Sequence, residues 1–80
     1  MLIEVFGPGC AKCHRSEKAA HEFLHQSGLE GEVIKHADID ALLERGILRT
    51  PTVFVDGQKI VEGRVLRTSD LEAWLARKDD

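Results

Sequence analysis

The sequence lacks the features of a membrane, secreted or nucleic-acid-binding protein. No apolar run approaches the roughly 18 residues that span a bilayer, and the first residues contain no basic stretch followed by an apolar one, so we expect neither a membrane span nor a secretory signal. Basic residues number 11 against 14 acidic ones, which gives a formal net charge of −3. Because phosphate recognition favours a basic face, nucleic acid is not expected as the main partner.

Cysteine is also scarce, since Cys10 and Cys13 are the only two and both lie in one C-x-x-C. A secreted domain of this size usually carries several disulfides spread along the chain. A bridge within a C-x-x-C closes so small a loop that it restricts the unfolded chain little. We therefore interpret the pair as chemical, through redox cycling or metal binding. Together with the lack of a signal, this favours a reducing, cytoplasmic compartment.

The 80 residues are enough for one small domain, which we place at residues 1–80, and 42% of them are hydrophobic, which is sufficient for a core. No internal repeat, low-complexity tract or linker interrupts the chain. A domain of this size buries only about 60 to 65% of the surface of its unfolded chain, so its stability margin is modest. We expect a monomer.

Hydrophobic patterning predicts the element order β-α-β-α-β-β-α. The predicted elements are strands at 2–6 and 32–36, helices at about 10–27 and 38–45, an Asp-Gly hairpin at 52–61, and a last helix opened by a capping box at 69–72. The first β-α-β unit implies parallel pairing through a right-handed crossover, and the hairpin adds an antiparallel strand. This order predicts an α/β fold in which three helices cover both faces of a four-stranded mixed sheet.

The position of the C-x-x-C predicts different roles for its two sulfurs. Cys10 stands where a glycine-rich turn meets a helix, and a helix start leaves backbone N–H groups unpaired and carries partial positive charge. Both effects favour thiolate, and Lys12 adds a nearby cation, so Cys10 is expected to have a lowered pKa and to attack first. Helical spacing puts Cys13 on the core side, where it is expected to be buried and to resolve a mixed disulfide.

Glu4 is unusual because it lies in an otherwise apolar strand, six residues before Cys10. A buried carboxylate is costly unless it is paired or protonated. One interpretation makes Glu4 a proton acceptor for Cys13 in the resolving step. The other places it at a solvated sheet edge or in an ion pair with a lysine. The sequence leaves both open.

Thr50-Pro51 stands directly before the hairpin. A proline cannot donate a hydrogen bond to a sheet, so Pro51 belongs at the first position of the strand. A cis bond there would turn the chain tightly and leave backbone groups of Thr50 available to an incoming peptide. The sequence alone leaves cis and trans open.

Three segments carry a resemblance to a known family. They are Gly-Pro-Gly-Cys-Ala-Lys-Cys at 7–13, Gly-Ile-Leu-Arg-Thr-Pro at 46–51, and the Asp-Gly hairpin with the amphipathic helix after it. The chain resembles the thioredoxin/glutaredoxin superfamily over essentially its whole length, and within it the group called small redox-active disulfide proteins. The resemblance implies a thioredoxin-like fold.

The resemblance also implies roles for single residues. Cys10 matches the family's nucleophile, Cys13 its resolving cysteine, and Pro51 the cis-proline that faces the disulfide. Glu4 matches the buried acid of thioredoxin in position, although thioredoxin has aspartate there. The chain departs from the pattern at Ala-Lys between the cysteines, which replaces the Gly-Pro of thioredoxin or the Pro-Tyr of glutaredoxin, and at Gly9, which replaces an aromatic residue. These departures leave the redox potential and the use of glutathione open.

The function implied is that of a thiol–disulfide oxidoreductase that needs no cofactor beyond its own Cys10–Cys13 disulfide. The expected catalytic residues are Cys10, Cys13, Pro51 and Glu4, and the expected substrate-binding residues are Thr50, Gly9 and Lys12. The expected partners are a protein disulfide, as substrate, and a flavoprotein disulfide reductase or another thiol reductant, with no membrane partner.

A soft-metal protein is the main alternative, because two thiolates suit Cu(I) or Zn(II), as in a small metallochaperone. Two sulfurs do not complete a tetrahedral zinc site. Further ligands would have to come from a polar stripe on the helix, where His21 and His25 stand at chelating spacing. A solvated surface explains that stripe as well, and no metal ligand is therefore assigned.

Two further alternatives use the same motif. Residues 10–14 satisfy C-x-x-C-H, the attachment motif for c-type haem, but Met1 is the only methionine and no axial ligand is evident. An interaction domain with a vestigial C-x-x-C is the other, and the position of Cys10 at a helix start argues against it.

Overall fold

A computed structural model describes residues 1–78. In chain order its elements are β1 (Leu2–Phe6), α1 (Ala11–Ser27), β2 (Glu32–His36), α2 (Ile39–Glu44), β3 (Thr52–Val55), β4 (Gln58–Glu62) and α3 (Thr68–Lys78). The predicted order β-α-β-α-β-β-α is confirmed. The last two positions of the predicted domain, 79 and 80, lie outside the described residues. Within residues 1–78 no helix is long and apolar enough to cross a membrane.

The four strands form one mixed sheet in the order β2-β1-β3-β4. Strand β1 pairs with β2 in parallel and with β3 antiparallel, and β3 pairs antiparallel with β4. The hairpin turn has positive φ at both central residues, 49° at Asp56 and 84° at Gly57. These angles are those of a type I′ turn, whose twist matches that of the flanking strands. Because β1 is an inner strand, the C-x-x-C that follows it lies near the middle of the sheet, at the end where β1 stops.

The core lies on one face of the sheet, under α1 and α3. Alternation along β1 turns Ile3 and Val5 toward this face, and both are completely buried. The core members from the other elements are Ala20, Phe23, Val53, Val55, Val61, Leu66, Leu71 and Trp74. Helix α1 therefore stands directly over β1, and its first turn is fixed against the end of that strand.

The second face of the sheet is covered in a different way from the first. Helix α2 contributes no buried residue, and Ile39 and Leu43 of its apolar pattern are each 67% exposed. The helix is too short to lay an apolar stripe across the sheet. On this face Phe6 is instead covered by the ring of His36, stacked at 4.3 Å between centroids, and by the guanidinium of Arg45.

The helix ends follow capping chemistry, with one correction. Helix α1 ends at Gly28, which adopts the left-handed conformation (φ 70°) and donates its N–H to the carbonyl of Leu24. Helix α3 begins at Thr68, so the predicted capping box at 69–72 is wrong. The carboxylate of Asp70 accepts the N–H of Arg67 at 2.8 Å. In the predicted capping box, Glu72 would accept the N–H of Ser69 in the same way, two residues further along the chain.

Ser16 joins α1 to the segment before α3. Its side chain is completely buried, donates to the carbonyl of Lys12 at 3.0 Å and accepts the N–H of Leu66 at 2.9 Å. A buried backbone N–H is expensive to leave without an acceptor. Ser16 therefore fixes the position of Leu66, which is itself part of the core.

Replacing Ser16 by alanine is expected to lower the free energy of unfolding by about 1–3 kcal/mol, because the Leu66 N–H loses its acceptor. Urea unfolding followed by circular dichroism measures the change. Ser27→Ala is the matched control on the exposed end of the same helix, where we expect a change within about 0.5 kcal/mol. Equal effects of the two substitutions would show that the buried bond contributes nothing special.

Candidate active site

The two cysteines occupy opposite environments at the start of α1. Cys10 is the N-cap, with extended backbone angles (φ −71°, ψ 170°), and its side chain is exposed. Cys13 lies in the first turn and is completely buried. Their sulfurs are 2.9 Å apart and hydrogen-bonded as free thiol groups. The pair is thus in position to form a disulfide, with one sulfur open to a partner and the other beneath it.

Gly7 leaves the space that the Cys13 sulfur occupies. A Cβ placed on Gly7 would overlap that sulfur and would lie 3.3 Å from the Cβ of Cys13. The same position lies 3.7 Å from the Cβ of Thr50. Gly7 therefore lets the Cys13 sulfur lie against the end of β1, with Thr50 close to the same position.

The pKa of the Cys10 thiol is lowered from its ordinary value. The largest cause is the hydrogen bond from the Cys13 side chain, followed by the backbone N–H of Cys13, with smaller effects from the N–H groups of Lys12 and Cys10. The unpaired amides of a helix start thus act on this sulfur as the sequence predicts. Lys12 contributes through its backbone N–H, which differs from the ammonium charge that the sequence suggests.

The pKa of the Cys13 thiol is raised. Burial is the largest cause, because it disfavours the charged form, and the hydrogen bond to Cys10 adds to it. Cys10 therefore loses its proton at a lower pH than Cys13 does. The shifts make Cys10 the better nucleophile of the pair near neutral pH, and Cys13 the sulfur that needs a proton acceptor before it can attack.

The peptide bond between Thr50 and Pro51 is cis, as the resemblance implies. Pro51 is buried at the start of β3, and its carbonyl accepts the N–H of Gly63 at 2.9 Å. The hydroxyl of Thr52 donates to the carbonyl of Arg49 at 2.5 Å, which ties the other side of the turn. Thr50 is half-buried, and its Cβ lies near Gly7. The substrate-binding roles of Thr50, Gly9 and Lys12 stay predictions.

Glu4 is buried, as the sequence suggests, and it is paired. Its Oε2 atom lies 2.9 Å from Nε2 of His36 and 3.5 Å from a guanidinium nitrogen of Arg45. Within residues 1–78, the side-chain hydrogen bonds of Glu4 go to these two residues. The ion-pair interpretation is thus present, with histidine and arginine in place of lysine. The role of Glu4 as a proton acceptor for Cys13 stays a prediction.

Three residues near the site escape sequence reasoning. His36 and Arg45 reach Glu4 only through strand pairing and the return of α2. Lys35 is brought to the turn by β2, where its ammonium lies 3.7 Å from the position a Cβ on Gly9 would take. Gly9 itself has a φ of 90°, a conformation that favours glycine. The parallel pairing of Val5 with Lys35 is the signal that locates Lys35, and it requires knowledge of the strand register.

The described part of the chain contains no cluster of metal ligands. No group of three or more His, Cys, Asp or Glu side chains is placed there to hold an ion. His21 of the polar stripe instead lies 4.0 Å from the carboxylate of Glu17, on the exposed side of α1.

Comparison with known proteins agrees with this geometry. Residues 1–76 match a family model described as a thioredoxin domain, and the chain belongs to that family. It is 34% identical over 76 residues to a thioredoxin of Methanothermobacter thermautotrophicus, an alignment covering 95% of this chain and 99% of the relative. It is 25% identical over 72 residues to a thioredoxin of Methanocaldococcus jannaschii, covering 90% and 83%. Thiol–disulfide oxidoreductases are thus the class of protein to which it belongs.

Solved structures show the same fold. Thioredoxin 1 of Thermosipho africanus superimposes with a TM-score of 0.59 at 19% identity, over the full length of both chains. Reduced glutaredoxin of Escherichia coli gives 0.57 at 21% identity, over 100% of this chain and 99% of the other. The predicted thioredoxin-like architecture, a four-stranded mixed sheet with three helices, is confirmed.

Replacing Gly7 by alanine is expected to displace the Cys13 sulfur, because the new Cβ would overlap it. The reduced variant should then close its intramolecular disulfide at least about tenfold more slowly, since a displacement of about 1 Å can cost a hundredfold in reactivity. The rate is measured with an oxidised dithiol buffer and mass spectrometry.

Gly28→Ala is the control for lost stability, because Gly28 is left-handed but distant from the sulfurs. It should cost about 1–2 kcal/mol of stability and leave the closure rate unchanged. Closure of Gly7→Ala at the rate of the unsubstituted protein would show that Gly7 does not set the position of Cys13.

Proposed function

We propose that the protein exchanges a Cys10–Cys13 dithiol or disulfide with protein partners. The observation that carries this proposal is the pairing of an exposed sulfur of lowered pKa with a buried sulfur of raised pKa at 2.9 Å. A structural thiol pair needs no such difference. Membership of the thioredoxin domain family supports the same chemistry.

In the reducing direction, the Cys10 thiolate attacks one sulfur of a substrate disulfide. The S–S bond of the substrate breaks, its other sulfur leaves as a thiolate, and a mixed disulfide to Cys10 forms. Cys13 then gives up its proton and attacks the Cys10 sulfur, which releases the second substrate sulfur as a thiolate. The products are a reduced substrate dithiol, once protonated, and the Cys10–Cys13 disulfide, so two electrons pass from the protein to the substrate.

The substrate segment is proposed to lie along the turn before β3. The Cβ of Thr50 lies 3.7 Å from the position that a Cβ on Gly7 would take, which is the position that the Cys13 sulfur overlaps, and Thr50 is half-buried. An extended peptide placed there can pair with the backbone in the manner of an added strand. Gly9 and Lys12 are proposed to line the other side of the exposed sulfur.

A second partner is needed to return the disulfide to the dithiol. We propose a flavoprotein disulfide reductase or another thiol carrier for this step, because exchange with a substrate leaves Cys10 and Cys13 oxidised and two electrons must be returned to them. A reducing, cytoplasmic compartment suits a chain in which both cysteines belong to the redox pair.

Cys13→Ser is expected to accumulate a mixed disulfide through Cys10 when it is incubated with a protein disulfide such as insulin, because the resolving step is lost. Cys10→Ser, the matched control, should trap nothing, since its remaining thiol is buried and keeps its proton. Non-reducing electrophoresis and peptide mass mapping detect the adduct. Trapping through Cys13 alone would reverse the two roles, and trapping by neither variant would contradict the exchange mechanism.

A further inference from the structure

The second face of the sheet carries a cluster of charged and aromatic side chains. Glu4 on β1 accepts from His36 on β2 and from Arg45 at the end of α2. The guanidinium of Arg45 also lies 5.4 Å from the ring centre of Phe6 and 5.3 Å from that of Phe54. These five side chains, which we call the Arg45 cluster, join three strands of the sheet to α2.

Helix α2 has few other attachments to the sheet. Ile39 and Leu43 are mostly exposed, and Ala41 and Leu42 are only half-buried. Arg45 is the C-cap of this helix. Its side chain therefore holds one end of α2 against the sheet. Helices α1 and α3 are held there by buried apolar residues instead.

The residues after Arg45 lead directly into the site. Gly46 and Ile47 close the end of α2 by donating their N–H groups to the carbonyls of Leu43 and Leu42, each at 3.0 Å. Leu48 is 89% exposed, and Thr50 with its cis bond follows. Segment 46–50 is thus anchored at its far end by Pro51 in the sheet and at its near end by Arg45.

We propose that Arg45 is a positioning residue for substrate recognition: through Glu4, Phe6 and Phe54 it holds α2 and segment 46–50 in place beside the redox pair. The inference rests on the proposed function for its readout in activity, though not for its readout in structure. It gives Glu4 a role different from proton transfer, as the counter-charge that fixes the guanidinium. His36 shares that oxygen of Glu4 and is fixed in turn by stacking on Phe6.

The test compares Arg45→Met with the unsubstituted protein. Losing an exposed ion pair or a cation–π contact changes an equilibrium about two- to fivefold. Amide hydrogen exchange in residues 39–50 should therefore become about two- to fivefold faster, and the KM for a protein disulfide should rise by a similar factor with kcat unchanged. Reduction of 2-hydroxyethyl disulfide should not change, because so small a substrate does not need the segment. Arg45→Lys should restore part of both effects.

Glu4→Gln tests whether Arg45 acts through this carboxylate. In the double variant Glu4→Gln/Arg45→Met, amide exchange in residues 39–50 and KM should rise no further than in Arg45→Met alone, because the ion pair between Glu4 and Arg45 is already lost in the single variant. Glu44→Gln and Arg77→Met are the matched controls, on exposed residues of α2 and α3, and should leave exchange and KM unchanged.

Hydrogen exchange and KM of Arg45→Met equal to those of Arg77→Met would overturn the proposal. So would a Glu4→Gln variant that lowers kcat for both disulfides without raising KM, because that pattern is the one expected of a proton acceptor. If the unsubstituted protein does not reduce protein disulfides at all, the proposed function fails, and hydrogen exchange alone still decides whether Arg45 holds the segment.

Discussion

A single hydrogen bond between two sulfurs, supported by the backbone amides of a helix start, underlies the chemistry of this protein. The sulfur of Cys13 lies 2.9 Å from that of Cys10, and this contact, together with the backbone N–H groups of Cys13 and Lys12, lowers the pKa of Cys10. The result is an exposed sulfur of lowered pKa and a buried sulfur of raised pKa. The rest of the fold serves to keep this arrangement: β1 positions the turn, Gly7 leaves room for the buried sulfur, and α1 is fixed over the sheet by the core.

The two faces of the sheet are stabilised in different ways, and the site lies where they meet. One face is a conventional apolar core under α1 and α3, which gives α1 a rigid position. The other is closed by a carboxylate, an imidazole, a guanidinium and two aromatic rings. Contacts of this second kind are weaker and more exposed, so the element they hold, α2, is the one whose position is most easily changed. That element leads into the turn at Pro51.

Sequence reasoning succeeds here wherever the signal is local. The Asp56-Gly57 turn, the left-handed Gly28 and the helix start at Cys10 each depend on the conformation of a few neighbouring residues, and the structure has all three. It is wrong where distant packing decides. The spacing of Ile39, Leu42 and Leu43 predicts a helix but not that Ile39 and Leu43 are mostly exposed. The partners of Glu4 come from β2 and α2, so no pattern around residue 4 identifies them.

Thiolate absorbance of the reduced protein, followed over a pH titration and assigned by alkylation and mass mapping, tests the central claim most directly. Ionisation is expected in two separate steps, the first at Cys10 below the ordinary range of a free thiol and the second at Cys13 above it. In Cys13→Ala the pKa of Cys10 should rise, since the sulfur hydrogen bond is lost, and stay below the ordinary range because the amides remain. Ionisation of both sulfurs together, at the pH of an unperturbed cysteine, would contradict the account.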